Sequence, residues 1–390
     1  MYIRDTQGLD DAVSVLRSAS VVAIDTEFMR EKTYYARLCL VQAASESDVF
    51  LIDAIALGTE IARLGPLLGD PDVLKVMHAG SQDVEILLQT TGVAPQPLFD
   101  TQIAATLAGF PTQVGYGQLV SDLLGITIDK GDTFSDWAAR PLSDAQLRYA
   151  EADVLHLPPA YDLLRDRLER EGRLSWLEAD FTRLADPATY AVDPREQWRR
   201  VKRASSLDKR SLAVLRELAA WRETEAQRRD MPKRWLLSDE SLIEVARRRP
   251  KDPSALRAIR GVNERVASRS AAAIAEAVTA GEAVPDGELP SLPKRDRRPT
   301  DVQPVSDLLN AIVRVRAKEH RVAPTLLASR DELERFAAGE REGHPLSEGW
   351  RHSLVGKELE RVLAGDACVR VSEGRVVVES CVGSGGADCE

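Results

Sequence analysis

The segment Asp25-Thr26-Glu27 has the residue types and the spacing of a cation site. It directly follows an apolar run at residues 21–24 that is typical of a β-strand. Side chains alternate between the two faces of a strand, so Asp25 and Glu27 are predicted to project to the same side, within reach of one cation. An isolated pair with this spacing is more often surface charge at a strand end, so the pair alone leaves both interpretations open.

Two further positions extend this set along the chain. Asp83 follows a second strand-like run, residues 74–77, and enters a predicted helix, where a carboxylate is also favourable as an N-terminal charge. Tyr149 and Asp153 are four residues apart on another predicted helix and share a face, which is equally the pattern of a surface pair.

Taken together, these four carboxylates and one phenol suit phosphodiester hydrolysis assisted by two divalent cations. Oxygen ligands without sulfur or imidazole favour Mg²⁺ or Mn²⁺ over zinc. Such a reaction needs no protein nucleophile. His78, in the segment that leads to Asp83, is predicted to be packed or hydrogen-bonded rather than a metal ligand.

The elements that must position these residues belong to an α/β domain over residues 1–190. Its strand-like runs are residues 21–24, 38–41, 49–52 and 74–77, and amphipathic segments lie between and after them. Helical patterns dominate after Pro194 and indicate a small helical domain over residues 205–285. Further segments are predicted as a proline-rich basic linker (286–304), a second helical domain with a C-terminal hairpin (305–380) and a flexible tail (381–390).

Charge is distributed unevenly along the chain, whose formal net charge is -10. Residues 1–190 carry 15 basic and 29 acidic side chains, whereas residues 191–285 carry 21 and 14. The acidic block could bind divalent cations and the basic block a phosphate backbone, although both could equally be solvated surface.

Length and composition narrow the class of protein. The 390 residues allow two or three domains, and 44% hydrophobic with 29% charged residues is the balance of an ordinary globular protein. No apolar run is long enough for a membrane helix, the first ten residues do not resemble a secretory signal, and four irregularly spaced cysteines predict no disulfide framework. The sequence therefore predicts a cytoplasmic protein.

Three motifs in the first 190 residues resemble those of the DEDDy 3′→5′ exonucleases, ribonuclease D in particular. They are DTEFMREKTYYARLCLVQ (25–42), HAGSQD (78–83) and YAEAD (149–153). The resemblance implies a ribonuclease-H-like fold, a mixed sheet flanked by helices, with Asp25, Glu27, Asp83 and Asp153 as ligands of two Mg²⁺ or Mn²⁺ ions. It further implies that Tyr149 orients the attacking water.

Residues 212–262 resemble the helicase-and-RNase-D C-terminal (HRDC) domain, and the region from about 305 resembles a second, divergent one. The implied architecture is an exonuclease domain followed by two small all-α HRDC-like domains around a single-stranded 3′ end. The resemblance implies single-stranded RNA 3′ ends, such as those of tRNA precursors, as substrates of a monomer without an obligate protein partner or a membrane.

Two side chains are predicted to contact the substrate, each with an ordinary alternative. Phe28 could stack on terminal bases or belong to the core, and Lys130 could contact a phosphate or be solvated. Met29 is predicted to be core. Two rival functions stay open at this point: a DNA-directed 3′→5′ exonuclease, and a catalytically weak RNA-binding module.

Overall fold

The computed structural model of this chain describes residues 1–128, 136–292 and 302–381. Lys130 lies outside the described residues, as do residues 293–301 of the predicted linker and residues 382–390 of the predicted tail. Among the described residues, no helix combines the length and the apolar character needed to cross a bilayer.

A six-stranded mixed sheet forms the centre of the first region. Its strand order is β1-β4-β3-β2-β5-β6. β2 pairs antiparallel with β3, and β3 with β4, while β1–β4, β2–β5 and β5–β6 are parallel. The strands are β1 (Tyr2–Ile3), β2 (Val21–Met29), β3 (Arg37–Ala44), β4 (Val49–Asp53), β5 (Leu74–Met77) and β6 (Leu98–Asp100).

All four predicted strands are confirmed, because each is an apolar run whose side chains enter the core. Val22, Ala23 and Ile24 of β2 are at most 1% exposed. The sequence analysis missed β1 and β6, which have two and three residues and are too short to show a period.

Helices cover the sheet. They are α1 (Thr6–Arg17), α2 (Ala54–Leu57), α3 (Gly65–Leu68), α4 (Ser81–Thr91), α5 (Thr101–Leu107), α6 (Tyr116–Leu124), α7 (Asp144–Leu155), α8 (Leu157–Arg170) and α9 (Glu178–Ala185). One of the amphipathic segments predicted between the strands is a 3₁₀ helix, Gly58–Leu64, that continues into α3. The predicted α/β layer of the first region is confirmed.

The second region is a helical bundle with its own core. Its helices are α10 (Lys209–Arg228), α11 (Lys233–Leu236), α12 (Asp239–Arg248), α13 (Pro253–Arg257), α14 (Glu264–Arg269) and α15 (Ala271–Glu282). Asp252 caps α13 and Pro253 is its first residue. Gly281 lets α15 approach α10 closely, because a Cβ at this position would lie 2.4 Å from the Cα of Val214.

The third region combines helices with a two-stranded hairpin. Its elements are α16 (Val302–His320), α17 (Pro324–Leu327), α18 (Arg330–Ala337), α19 (Gly349–Arg351), α20 (Lys357–Ala364), β7 (Ala367–Ser372) and β8 (Arg375–Ser380). A capping box of Ser329 and Glu332 begins α18, and the predicted hairpin forms.

The third region packs against the first and shares a hydrophobic core with it. Trp176 and Trp350 stack with ring centroids 4.9 Å apart, and Nη2 of Arg173 donates to the carbonyl oxygen of His320 at 2.6 Å. Leu164 of α8 and Leu309 of α16 are both fully buried in this core. The third region is therefore anchored on the first region.

Candidate active site

Two of the predicted carboxylates lie together on β2. Asp25 pairs with Gln42 and Glu27 with Leu40 across the β2–β3 ladder, and the register shifts directly after Glu27. Because the two residues are two positions apart on one strand, their side chains leave the same face of the sheet. The predicted arrangement of this pair is confirmed.

The third carboxylate comes from α7. Ser143 and Gln146 form a reciprocal capping box at its start, which fixes where this helix begins and so which residues face the sheet. Asp153, in the last turn of α7, reaches the face of β2 that carries the pair. Asp25, Glu27 and Asp153 each offer a carboxylate oxygen, and these oxygens lie within 4.8 Å of one another.

Asp83 lies beside this three-carboxylate cluster rather than in it. It occupies the first turn of α4 and accepts a hydrogen bond from the hydroxyl of Thr26. Thr26 is the residue between Asp25 and Glu27, so its side chain leaves the opposite face of β2. Asp83 is nevertheless near enough for its charge to raise the pKa of Asp25 and of Glu27.

Among the residues that the structure describes, the cluster consists of anions held close together with no cation shifting the pKa of Asp25 or Glu27. Burial is the largest cause of the raised pKa of each member, and it lifts Glu27 to about 8 and Asp153 to about 7. The pKa of Asp25 is raised well above its usual value by burial and then by Asp83, Asp153 and Glu27. The charges of the described residues that shift the pKa of Asp25 and Glu27 are those of neighbouring carboxylates.

Such a cluster fits hard divalent cations. Buried carboxylates that repel one another are stabilised when a cation neutralises them, and carboxylate oxygens are the ligands that Mg²⁺ and Mn²⁺ prefer. The four predicted carboxylates thus divide into three that can bind an ion together and one that adjoins them.

Tyr149 stands at the edge of the cluster. It is one helical turn before Asp153 on α7, and its hydroxyl donates a hydrogen bond to that carboxylate. Burial and then the neighbouring carboxylates raise the pKa of Tyr149, so the phenol keeps its proton at neutral pH. Its ring packs beside Trp137, with centroids 6.0 Å apart.

A buried ion pair that the sequence analysis missed braces the segment carrying Trp137. Nε and Nη2 of Arg140 donate to the two oxygens of Asp53, each at 2.7 Å, and Nη1 donates to the carbonyl oxygen of Trp137 at 2.8 Å. The side chain of Asp53 is fully buried, and the two-point contact with Arg140 neutralises its charge there. The only sequence signal was Asp53 at the end of a strand-like run, which does not identify a partner 87 residues away.

A cleft of about 700 Å³ opens next to the cluster. It is lined by Glu27, Phe28, Met29, Glu31, Lys32, Thr33, Arg37, Asp136, Trp137 and Ala138. Phe28 therefore lies where a substrate contact is predicted. Met29 also lines the cleft, but it is partly buried and packs against the core cluster that contains Cys39 and Leu40, so its assignment to the core is confirmed in part.

His78 stays outside the cluster. Its two ring nitrogens are hydrogen-bonded to the hydroxyl of Thr101 at 2.9 Å and to the carbonyl oxygen of Val114 at 3.0 Å. The prediction of a packed, hydrogen-bonded histidine is confirmed.

Comparison with known proteins identifies two family profiles in this chain. A 3′-5′ exonuclease profile matches residues 1–169, and an HRDC profile matches residues 211–278. The description of the third region as a second HRDC-like domain stays a prediction.

Relatives and solved structures resemble the chain over nearly its whole length. Ribonuclease D of Gluconacetobacter diazotrophicus is 47% identical, with 96% of each chain covered, and that of Granulibacter bethesdensis is 43% identical, with 95% of this chain and 94% of the relative covered. The crystal structure of Escherichia coli RNase D, an exoribonuclease involved in structured RNA processing, superimposes with a TM-score of 0.78 at 31% identity. It covers 94% of this chain and 98% of that one. The protein therefore belongs to the ribonuclease D family of 3′→5′ exoribonucleases.

Proposed function

We propose that the chain hydrolyses the terminal phosphodiester of RNA at the cluster of Asp25, Glu27 and Asp153, which would hold two Mg²⁺ or Mn²⁺ ions. The observation that carries the proposal is the convergence of three carboxylates, within 4.8 Å, from a strand and a helix far apart in the sequence. When bound, such ions stabilise the attacking and the leaving oxygen of the transferred phosphate.

The chain's own residues have distinct parts in this proposal. Asp25 is central, since its charge is next to those of Glu27, Asp83 and Asp153. Asp83 accepts a hydrogen bond from Thr26, whose side chain leaves the face of β2 opposite to Asp25 and Glu27. It would therefore act on the ions through ordered water. The protonated hydroxyl of Tyr149 would orient the attacking water beside Asp153, and Trp137 and Arg140 hold its ring in place.

A basic surface of the second region supports a nucleic-acid substrate. Arg200, Lys202 and Arg234 line a cavity of about 740 Å³ between the first and second regions, and none of the three forms an ion pair with a described residue. Thr33 lines both this cavity and the cleft at the cluster. Unpaired cations along a path to the cleft are suited to holding successive phosphates of a single strand.

A more specific proposal concerns the substrate, the product and the active species. We propose that the cleft receives single-stranded 3′ ends, including those of tRNA precursors, and that the products are nucleoside 5′-monophosphates. The active species in this proposal is a monomer, since all the cluster residues come from one chain. Lys130 would be a further phosphate contact.

The experiment uses RNA labelled at its 5′ end and DNA of the same sequence. With Mg²⁺ or Mn²⁺, the parent protein is expected to shorten the RNA in steps of one nucleotide from the 3′ end and to release 5′-monophosphates. Asp25→Asn, which keeps the shape of the side chain and removes its charge, is expected to abolish this ladder. Asp122→Asn, at an exposed carboxylate of α6, is the matched control.

Two outcomes would contradict the proposal. A ladder that persists in Asp25→Asn would mean that the cluster is not the catalytic site. Equal or faster shortening of the DNA would favour the DNA-directed alternative.

A further inference from the structure

The loop between β2 and β3, residues 30–36, lies between the catalytic cleft and the second region. Glu31, Lys32 and Thr33 on this loop line the cleft together with Glu27. On its other side, Thr33 and Tyr34 line the cavity between the first and second regions. The loop therefore forms one wall of the cleft, and its position depends on what holds it from behind.

The second region holds this loop by its backbone. One carboxylate oxygen of Asp230, just beyond the end of α10, accepts hydrogen bonds from the amides of both Tyr34 and Tyr35, each at 3.0 Å. Asp230 has a backbone φ of 45°, in the left-handed region, which aspartate tolerates better than most residues. Asp230 is thus fixed to two adjacent loop residues that lie 196 and 195 positions before it in sequence.

The side chain of Tyr34 makes a second connection. Its hydroxyl donates to a carboxylate oxygen of Glu223 on α10 and accepts from Nε2 of Gln227 at 3.1 Å. Glu223 is 1% exposed and forms an ion pair with Lys233 at 2.9 Å. A hydrogen bond to a buried carboxylate is short and strong, and leaving it unmade is costly.

We infer that Tyr34 is a positioning residue through which the second region shapes the catalytic cleft. The inference rests on the proposed function, because it concerns the wall of that cleft. The second region then does more than add basic surface: the contacts of Glu223, Gln227 and Asp230 keep Glu31, Lys32 and Thr33 in the geometry that receives the RNA strand. When these contacts are lost, the strand is bound less well but the carboxylate cluster is unchanged.

The test uses the full chain and two variants that weaken the connection in different ways. Tyr34→Phe removes the hydroxyl and keeps the ring. Asp230→Gly removes the acceptor of both amides and keeps the left-handed backbone accessible. Glu225→Gln is the matched control, because Glu225 lies two positions from Glu223 on the same helix but pairs with Arg228 and Arg229.

Two measurements are made on each protein. Hydrogen exchange of the Tyr34 and Tyr35 amides is expected to become at least tenfold faster in both variants and to stay within twofold in Glu225→Gln. With a twelve-nucleotide RNA, KM is expected to rise at least fivefold in Tyr34→Phe and Asp230→Gly while kcat stays within twofold.

Each result decides between positioning and a merely structural role. Unchanged exchange at both amides would overturn the inference, as would faster exchange with an unchanged KM. A fall in kcat that matches a lowered thermal midpoint, with KM unchanged, would also overturn it, since it would show only loss of folded protein. A parent protein with no exonuclease activity would refute the proposed function, and the exchange data would still decide whether the connection holds the loop.

Discussion

Binding of a divalent cation at the carboxylate cluster should release protons. In the metal-free protein, burial and then the charges of Asp153 and Asp83 raise the pKa of Glu27 to about 8, and burial raises the pKa of Asp153 to about 7. A carboxylate must be deprotonated to bind a cation, so binding forces these groups to ionise. The perturbation is therefore the addition of Mg²⁺ or Mn²⁺ at controlled pH.

The expected number of protons follows from these two values. At pH 7, about 0.9 of a proton would leave Glu27 and about half of one would leave Asp153. Asp25, whose pKa is also raised, adds to this number. At pH 9 the same two groups would release only about 0.1 of a proton, because both are already ionised.

The sign of the stability change follows from the same shifts. The folded metal-free protein binds more protons than the unfolded chain between about pH 4 and pH 8, so its free energy of unfolding should decrease as pH rises through that window. A bound cation should restore the lost stability, and more so at pH 8 than at pH 5.

Titration calorimetry measures the release directly. The observed enthalpy is recorded at pH 7 in buffers that differ in ionisation enthalpy, and the slope gives the number of protons. Glu27→Gln should lower this number by about 0.9, whereas Glu46→Gln, at an exposed loop carboxylate, should not change it. A slope of zero for the parent protein, or an unchanged slope in Glu27→Gln, would refute the reasoning.

Three further predictions concern other parts of the molecule. Tyr149→Phe should lower kcat by about 10²-fold or more, while the calorimetrically measured affinity for the cation stays within threefold. An equal loss of kcat and of cation affinity would mean that Tyr149 is a ligand of the cation. The triple variant Arg200→Ala/Lys202→Ala/Arg234→Ala should reduce the slope of log K for RNA binding against log salt concentration by about 2. The control variant Arg195→Ala should change this slope little, because Arg195 is paired with Glu217 at 2.7 Å. An unchanged slope in the triple variant would show that the cavity does not bind RNA. Gly281→Ala should lower the free energy of unfolding of the second region by about 1–3 kcal/mol, because the added Cβ would lie 2.4 Å from Val214. Gly117→Ala is the control, because its Cβ would meet nothing within 4 Å. Denaturant titration measures both variants, and equal effects would contradict the close packing of α10 and α15.

Much of the cluster could be predicted because its chemistry is local in sequence. Asp25 and Glu27 share a face by strand alternation alone, and Tyr149 shares a face with Asp153 by helical spacing. The separate position of Asp83 could not be read from these periods, since it depends on the hydrogen bond from Thr26 across the β2–α4 contact.

Long-range contacts account for most of what the sequence did not reveal. Arg140 pairs with Asp53, 87 positions away, and Tyr34 with Glu223, 189 positions away. In the sequence, the three charged residues look like ordinary surface charges and Tyr34 like an aromatic residue in a loop. Likewise, no sequence period indicates that the third region shares a core with the first. Local patterns thus predicted the elements, and tertiary packing decided how they support the site.

The most direct test of the central claim is a crystal of the full chain soaked in Mn²⁺ and measured for anomalous scattering. We expect two strong peaks a few Å apart, in contact with oxygens of Asp25, Glu27 and Asp153, and neither peak in Asp25→Asn. Peaks only at other carboxylates, or none at this cluster at a Mn²⁺ concentration that supports activity, would contradict the account.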